Sequence, residues 1–563
     1  MRSYYPLGLA ALLLLSGCNL GGSSTDGDGS NRYPDEVSES GFRLLAWNDL
    51  GMHCMDADYS VFSILPPYNN LVAQLIEKGS EPRHITRGVQ LTYEAVPSLD
   101  GKWNTRSTGK TDFWDYVSRL FGVTLDPDVG LKGRHVQSQT PRPLQYDSEY
   151  NWWIAEGIPV TPRNDDGSYN MYPMVKVVAR DDRGTVLAET TTVLPVSDEM
   201  DCKACHGSSS GYDAAKPAGG WVNHGDSEKD YRFNILRLHD EKHPGAVSGH
   251  ANALRAKGWD YDDAGLEATA AGGTPILCAA CHSSNALPGT GVGDIPPLTQ
   301  AIHTRHAEAA DPRNLAVTLD DGTNRNACYL CHPGATTQCL RGAMGKAKHP
   351  DGTSKMQCQS CHGAMSAVGR ADRDGWLDQP NCQSCHQGGE RHTQAVADMT
   401  TGALRQVTDF RYATNPDTPM SGKSLYRFSV GHGELQCSAC HGSTHAIYPS
   451  NKEEDNIQSV EAQGYAGTIR ECTSCHTRVP LTEDGGPHGM HTIGQRWVDE
   501  HEEYVEESDP VRCTACHGDD YRGSPLSAVK TARSYATEWG TKRFQAGQQV
   551  GCYDCHNGPH DDD

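Results

Sequence analysis

Cys437-Ser438-Ala439-Cys440-His441-Gly442-Ser443-Thr444-His445, CSACHGSTH in one-letter code, puts two cysteines and two histidines within nine residues. Its first five residues repeat a pattern that runs through the second half of the chain. CKACH begins at Cys202, CAACH at Cys278, CYLCH at Cys328, CQSCH at Cys358 and again at Cys382, CTSCH at Cys472, CTACH at Cys513 and CYDCH at Cys552. With the copy at Cys437 there are nine, and they absorb 18 of the 21 cysteines.

A gap of two residues lets both thiols of a single turn reach the two vinyl groups of one porphyrin. The histidine next in sequence is then drawn beneath the iron, so each copy reads as a c-type haem attachment site. The thioether pairs are Cys202/Cys205, Cys278/Cys281, Cys328/Cys331, Cys358/Cys361, Cys382/Cys385, Cys437/Cys440, Cys472/Cys475, Cys513/Cys516 and Cys552/Cys555. The proximal ligands are His206, His282, His332, His362, His386, His441, His476, His517 and His556. Zinc sites need two converging pairs and no histidine directly after each. A thioredoxin-like redox pair is expected once, and a disulfide places no histidine after its second cysteine.

On these motifs the chain from about Asp201 onward resembles a multihaem c-type cytochrome. Nine haems c, each carrying iron, are the cofactors the resemblance implies. They also answer a shortage in the composition. Hydrophobic residues make up 36% of the chain, and there are 8 Phe against 59 Gly and 31 Pro. Nine porphyrins supply apolar interior that the side chains lack. The net charge of −23 argues against nucleic acid or an anionic membrane surface as the main partner.

Two protein ligands make a haem iron suited to electron transfer, whereas an open position invites a substrate. The 26 histidines leave an ample supply after the proximal set. NILRLHDEKHP reads as a short helix with His239 and His243 at i, i+4, stopped by Pro244. PPLTQAIHTRHAEAA sets His303 and His306 one turn apart, and GPHGMHTIGQRWVDEHEEY holds His488, His491 and His501. His432, five residues before Cys437, and His445 complete nine distal candidates. His224, His250, His349, His392 and His560 stand in reserve. Two ligands one turn apart can serve two closely packed haems. His445 follows His441 too closely to pass around the porphyrin edge, so as a ligand it must serve a neighbouring haem.

The N-terminus reads as an export signal over residues 1–17. Arg2 precedes an apolar run from Leu7 to Leu15 that is too short to span a bilayer. LLSGC, ending at Cys18, resembles the bacterial lipoprotein box, with Cys18 as the lipid anchor; an ordinary secretory signal is the alternative. Asn19 is not the aspartate associated with inner-membrane retention in similar lipoproteins. The resemblance implies a lipid-anchored protein at the outer membrane or cell surface, with the periplasmic face as the other possibility. Residues 18–41 form a Gly/Ser/Asp-rich tether.

Residues 42–197 read as a mainly β domain, a sandwich. YPMVKVVARDDRGTVLAETTTVLPVS gives two strands around a turn at Asp181–Gly184, and KTDFWDYVSRLFG gives a helix. His53, Cys54 and Met55 are adjacent on an extended chain, so they point to alternating faces and do not make one metal site. Cys54 and Cys339 remain after the motifs and the anchor. A disulfide between them would staple the β domain to the haem domain, and free buried thiols are the rival reading.

The expected fold is therefore multidomain. A mainly β N-terminal domain precedes a haem-packed domain over 198–563, built of short helices and loops with little regular sheet. The expected function is electron transfer along closely packed haems with histidine on both sides of the iron. By resemblance, its partners are redox proteins or extracellular acceptors such as metal oxides, and self-association is known among similar proteins. An oxidoreductase of small nitrogen or sulfur compounds, with one open haem, is the alternative. A third reading makes the β domain an adhesion or partner-docking module.

Overall fold

The computed structural model describes residues 41–563 apart from 201, 245–254, 256–257, 259–260, 285, 325, 334–335, 349–350, 353, 355, 373–430, 483–485, 488–489, 508, 525 and 560–563. The signal, the tether, Cys18, Cys382, Cys385, His386 and His488 lie outside the described residues, as do the reserve histidines His250, His349, His392 and His560.

Strand Phe42–Trp47, FRLLAW, is apolar on both sides of its pleat. Successive side chains on a strand point to opposite faces. Leu44 and Ala46 accordingly enter one cluster, and Leu45 and Trp47 another. Both faces are covered, so the run lacks the polar alternation of a half-exposed strand. It pairs antiparallel with Asn69–Glu77, from Phe42↔Glu77 to Trp47↔Val72. That strand repeats the division, with Leu71, Ala73 and Leu75 inward and Val72 and Ile76 outward. Trp152–Ile158 and Gln145–Asp147 extend the sheet, and Arg83–His84 also pairs with Asn69–Glu77.

A second sheet runs in the order Val186–Val193, Met174–Asp181, Val89–Ala95, Arg142–Pro143. Its hairpin turns where the Asp181 carboxylate accepts from the backbone N–H groups of Arg183 and Thr185 at 2.9 and 2.8 Å. Gly184 supplies the left-handed residue there, at φ +85°. Leu91, Tyr93, Val175 and Val177 of this sheet meet the inward residues of the first, forming a β-sandwich. Helix Phe113–Phe121 adds Phe113, Val117 and Leu120, spaced at i, i+4 and i+7.

The outer face of the first sheet is not solvated. Leu45, Trp47, Val72, Ile76 and Trp152 pack with Ala439 of the CSACH motif and with Leu435 and Ile469. Burying a side chain of this size contributes about 1.5–3 kcal/mol. Gln74, in the midst of this face, is fully bonded. Its Nε2 donates to the carbonyls of Asn151 and Glu434 at 3.0 and 3.3 Å, and its Oε1 accepts from Gln436 N–H at 2.9 Å. A second seam forms where Ile276–Leu277 pairs in parallel with Phe62–Ser63. Cys202 and Cys278 join Val61, Phe62, Tyr231 and Leu236 in that seam. The sandwich and the motif region thus share a continuous interior.

Beyond the sandwich the described residues form short helices, with two small hairpins among them at Ala310–Thr318 and Arg533–Phe544. Among the described residues, no helix is long and apolar enough to cross a membrane.

Candidate haem sites

Each of the eight described motifs folds as one helical turn, either α or 3-10. The backbone N–H of the motif histidine donates to the carbonyl of the first cysteine, at 2.9 Å for His206, 3.0 Å for His282, 2.9 Å for His332, 2.8 Å for His476 and 3.1 Å for His556. That closure brings cysteines i and i+3 to the same side, with the histidine next to them. Several of the intervening residues are small and inward: Ala279 and Ala439 are buried, as are Ser360, Ser438 and Ser474.

The two cysteines of a motif sit in different surroundings at Cys281 and Cys516. Cys281 lies one residue past its 3-10 turn, Cys278–Ala280. Its side chain packs against the inner cluster of the sandwich with Leu277, Ala279 and Ala280, whereas Cys278 turns into the second seam. The two thiols of that motif therefore face different apolar surroundings. In the eighth motif Cys513 approaches Cys552 of the ninth. Cys516 is instead fixed through its backbone, its carbonyl accepting from Ser524 Oγ at 2.5 Å. In both cases segments beyond the five-residue motif contact the second cysteine. Both remain half-buried.

Seven motif histidines face a second histidine ring across a narrow range of distance. The centroids are 6.2 Å apart for His206–His306, 6.5 Å for His282–His239 and 6.0 Å for His332–His303. They are 6.1 Å apart for His362–His445 and 6.1 Å for His476–His432. The last two are His517–His491 at 6.2 Å and His556–His501 at 6.0 Å. A metal–nitrogen bond of about 2 Å on either side, plus the depth of each ring, gives a centroid spacing on the order of 6 Å. The rings are too far apart to touch and correctly spaced for one metal ion between them, so the donor set fits a haem iron.

Hydrogen bonding fixes which nitrogen is left for that ion. The Nδ1 atoms of His282, His303, His306 and His476 face the carbonyl oxygens of Pro296, Thr299, Ile302 and Ser80 at 2.8, 2.7, 2.7 and 3.1 Å. Those of His491, His501 and His517 face the carbonyls of Thr492, Val498 and Val550 at 3.0, 3.1 and 2.7 Å. An Nδ1–H held by a carbonyl leaves Nε2 unprotonated and directed away as the donor. Burial favours the neutral form of His206, His239, His332, His445, His491 and His517, the form a ligand must take. Burial, with the nearby His306 and Lys242, pushes His206 down to about 4. Burial also lowers His239 and His491 to about 4.

The sites adjoin through shared segments. Helix Leu298–Ala307 carries both His303 and His306, the partners of the third and first motifs. Cys202 and Cys278 share one apolar cluster, joining the first and second. The Cys328 and Cys358 side chains adjoin, joining the third and fourth. CSACHGSTH supplies His441 to the sixth motif and His445 to the fourth. Cys440 and Cys475 interact, joining the sixth and seventh, and Cys513 and Cys552 join the eighth and ninth.

Not every spaced histidine falls into such a pair. The helix carrying His239 ends at Lys242, so His243 leaves the helical path. Its ring lies 5.0 Å from that of His239, too close for an iron between them. His441 has Thr468 Oγ1 at 3.5 Å from its Nδ1. His224 accepts at Nδ1 from Asp226 N–H at 3.0 Å. His53 is buried, with Nε2 2.8 Å from the carbonyl of Pro66, and Met55 lies in the inner cluster of the sandwich. Cys54 and Cys339 are both free thiols, and Cys339 lies against His445.

Several residues at these sites had no signature in the sequence. Ser80 reaches His476 through its backbone, and Gly51 lies so near His445 that a Cβ would sit 3.1 Å from its Nδ1. Trp497 stacks on His491 at 4.1 Å and lies 5.8 Å from His501. For Trp497 a signal existed, since it precedes His501 by one helical turn.

Motif turns, opposed imidazoles and close linkage between sites fit a multihaem c-type cytochrome. Residues 351–562 match the family model described as outer membrane cytochrome MtrC/MtrF-like, domains II/IV. The chain is similar to that family over this stretch, which begins just before the motif at Cys358. No curated protein matches the chain.

Proposed function

We propose that the protein conducts electrons through nine covalently bound c-type haems at the outer membrane or cell surface. When bound, each haem supplies a one-electron iron couple. The single observation that carries this reading is the set of seven opposed histidine pairs at 6.0–6.5 Å. His306, His239, His303, His445, His432, His491 and His501 serve as the distal ligands in those pairs. The thioether partners include Cys281 and Cys516, each paired with the first cysteine of its own motif. The shared segments set the sites in the order second, first, third, fourth, sixth and seventh, with the eighth and ninth beside each other. Arg533 of the last hairpin pairs with Glu471 at 2.8 Å, holding the eighth and ninth sites to the seventh.

The likeness to outer-membrane cytochromes supports redox proteins or extracellular acceptors as partners. The lipoprotein-like LLSGC supports a lipid anchor at Cys18. An oxidoreductase with an open haem is less well supported, because paired imidazoles occupy both sides of seven sites.

Purified holoprotein tests the reading. A pyridine haemochrome assay should count nine haems per chain, and ferric EPR should show low-spin iron. Carbon monoxide binding to several reduced haems would overturn the conductor in favour of the oxidoreductase. Cys18→Ser should release the protein from membranes; continued attachment would remove the lipid anchor from the proposal.

A further inference from the structure

The acceptor opposite His445 differs in kind from those of seven other ligand histidines. Carbonyl oxygens face Nδ1 of His282, His303, His306, His476, His491, His501 and His517. The atom facing Nδ1 of His445 is the sulfur of Cys339, at 3.3 Å. A thiol sulfur is a weak acceptor beside a carbonyl oxygen. The two residues are 106 positions apart, so no local spacing accounts for their contact.

The contact is built from several directions. His445 sits at φ +65°, a left-handed conformation uncommon for a residue with a side chain. Its carbonyl accepts from the backbone N–H groups of Arg341 and Gly342 at 2.9 and 2.7 Å, which holds it there. Cys339 begins the same segment, so one stretch grips both the main chain and the ring of His445. Arg341 is anchored in turn by Asp455, its Nε and an Nη donating at 2.6 and 2.8 Å with both side chains buried. From the other side, Asn48 Nδ2 donates to Ser443 Oγ at 2.9 Å, and Gly51 leaves room for the ring.

We infer that Cys339 is a positioning residue for the haem held by Cys358, Cys361 and His362: its sulfur accepts the Nδ1 hydrogen bond of His445, aims Nε2 at the iron and keeps this ligand less electron-rich than the carbonyl-bonded histidines. The inference rests on the reading of His445 as the distal ligand of that site. A stronger acceptor on Nδ1 raises ligand basicity and favours ferric iron, which lowers the potential; a weaker one raises it. Cys339 therefore biases the fourth site toward holding an electron. That site lies within the row, between the third and sixth.

The test is a spectroelectrochemical titration of the loaded protein, followed by EPR. Cys339→Ser offers a stronger oxygen acceptor, and one haem should shift to lower potential while all remain low-spin. Cys339→Ala removes the acceptor, and the same haem should shift the other way. A merely structural role would move both variants in one direction, and that result, or no shift in either, overturns the inference. His445→Ala separates the two readings. If it turns one haem high-spin while both Cys339 variants are silent, only the role of Cys339 fails. If it leaves every haem low-spin, the ligand assignment fails with it.

Discussion

The carbonyl oxygen of Ser80 lies 3.1 Å from Nδ1 of His476, although 396 residues separate them. Beside it, Thr477 N–H donates to the carbonyl of Gly79 at 3.0 Å. The sandwich thus orients a histidine of the seventh motif directly. Residues outside a metal's ligand set commonly fix ligand orientation in this way.

On the proposed reading, this attachment makes the sandwich part of a haem site. Removing residues 42–197 takes away Ser80 and uncovers Ala439, Leu435 and Ile469, which pack against Trp47 and Trp152. We expect the truncated chain to hold fewer haems and to expose apolar surface, measured by haemochrome content and dye binding. A truncated chain that loads all its haems would show the sandwich to be a separable module, as an adhesion or docking role would require.

His303 and His306 should act on different haems although they share one helix turn. His303→Ala is expected to turn the haem of Cys328 and Cys331 high-spin, and His306→Ala that of Cys202 and Cys205. The double variant should show two high-spin irons by EPR. A single affected haem in the double variant would refute the pairing.

Arg341 and Asp455 are buried together, and Ser450 Oγ also donates to the carboxylate at 2.7 Å. Leaving one partner of such a pair uncompensated costs roughly 3–5 kcal/mol. Arg341→Leu should therefore lower the denaturation midpoint steeply and loosen His445. Asp455→Asn should have a smaller effect of the same sign. Equal midpoints for wild type and Arg341→Leu would refute the anchoring role.

The pH dependence of the sandwich carries a sign that His53 determines. Burial lowers His53 to about 4, opposed by the bond to the Pro66 carbonyl. Below the ordinary histidine value of about 6.5 the unfolded chain takes up a proton that the folded chain refuses. The stability that His53 contributes is then present above pH 6.5 and lost as the pH falls toward 4, by up to about 3 kcal/mol. Burial raises Asp56 in the same loop to about 6, and that shift has the opposite effect on stability. Comparison with His53→Gln isolates the histidine term. The advantage of wild type over this variant should shrink between pH 6.5 and 4, and a constant difference would count against the assignment.

Much of each half-site could be read from the sequence because a motif turn closes on itself. Cys437, Cys440 and His441 need only one helical turn to come together. The apolar run Leu44–Trp47 likewise signals a strand covered on both sides, though nothing in it names the cover. Spacing alone was less reliable for distal ligands. His239 and His243 have the same i, i+4 relation, yet the helix ends between them and, among the described residues, only His239 faces a motif histidine. Nor could the repeat show that Cys281 borders the sandwich core or that Ser524 holds Cys516, since neither neighbour belongs to the motif.

Opposition across a metal is a relation between segments, and only the tertiary structure decided it. His206 meets His306, and His362 meets His445, through the packing of helices and loops that no local period records. The carbonyl of Ser80 and the space beside Gly51 are properties of backbone, so they leave no side-chain pattern to read. The sequence by itself determined the half-sites proposed to tie the haems, because two cysteines and a histidine lie within five consecutive residues. The fold decided which histidine faces each of seven motif histidines, because those contacts exist only once distant backbone has been packed together.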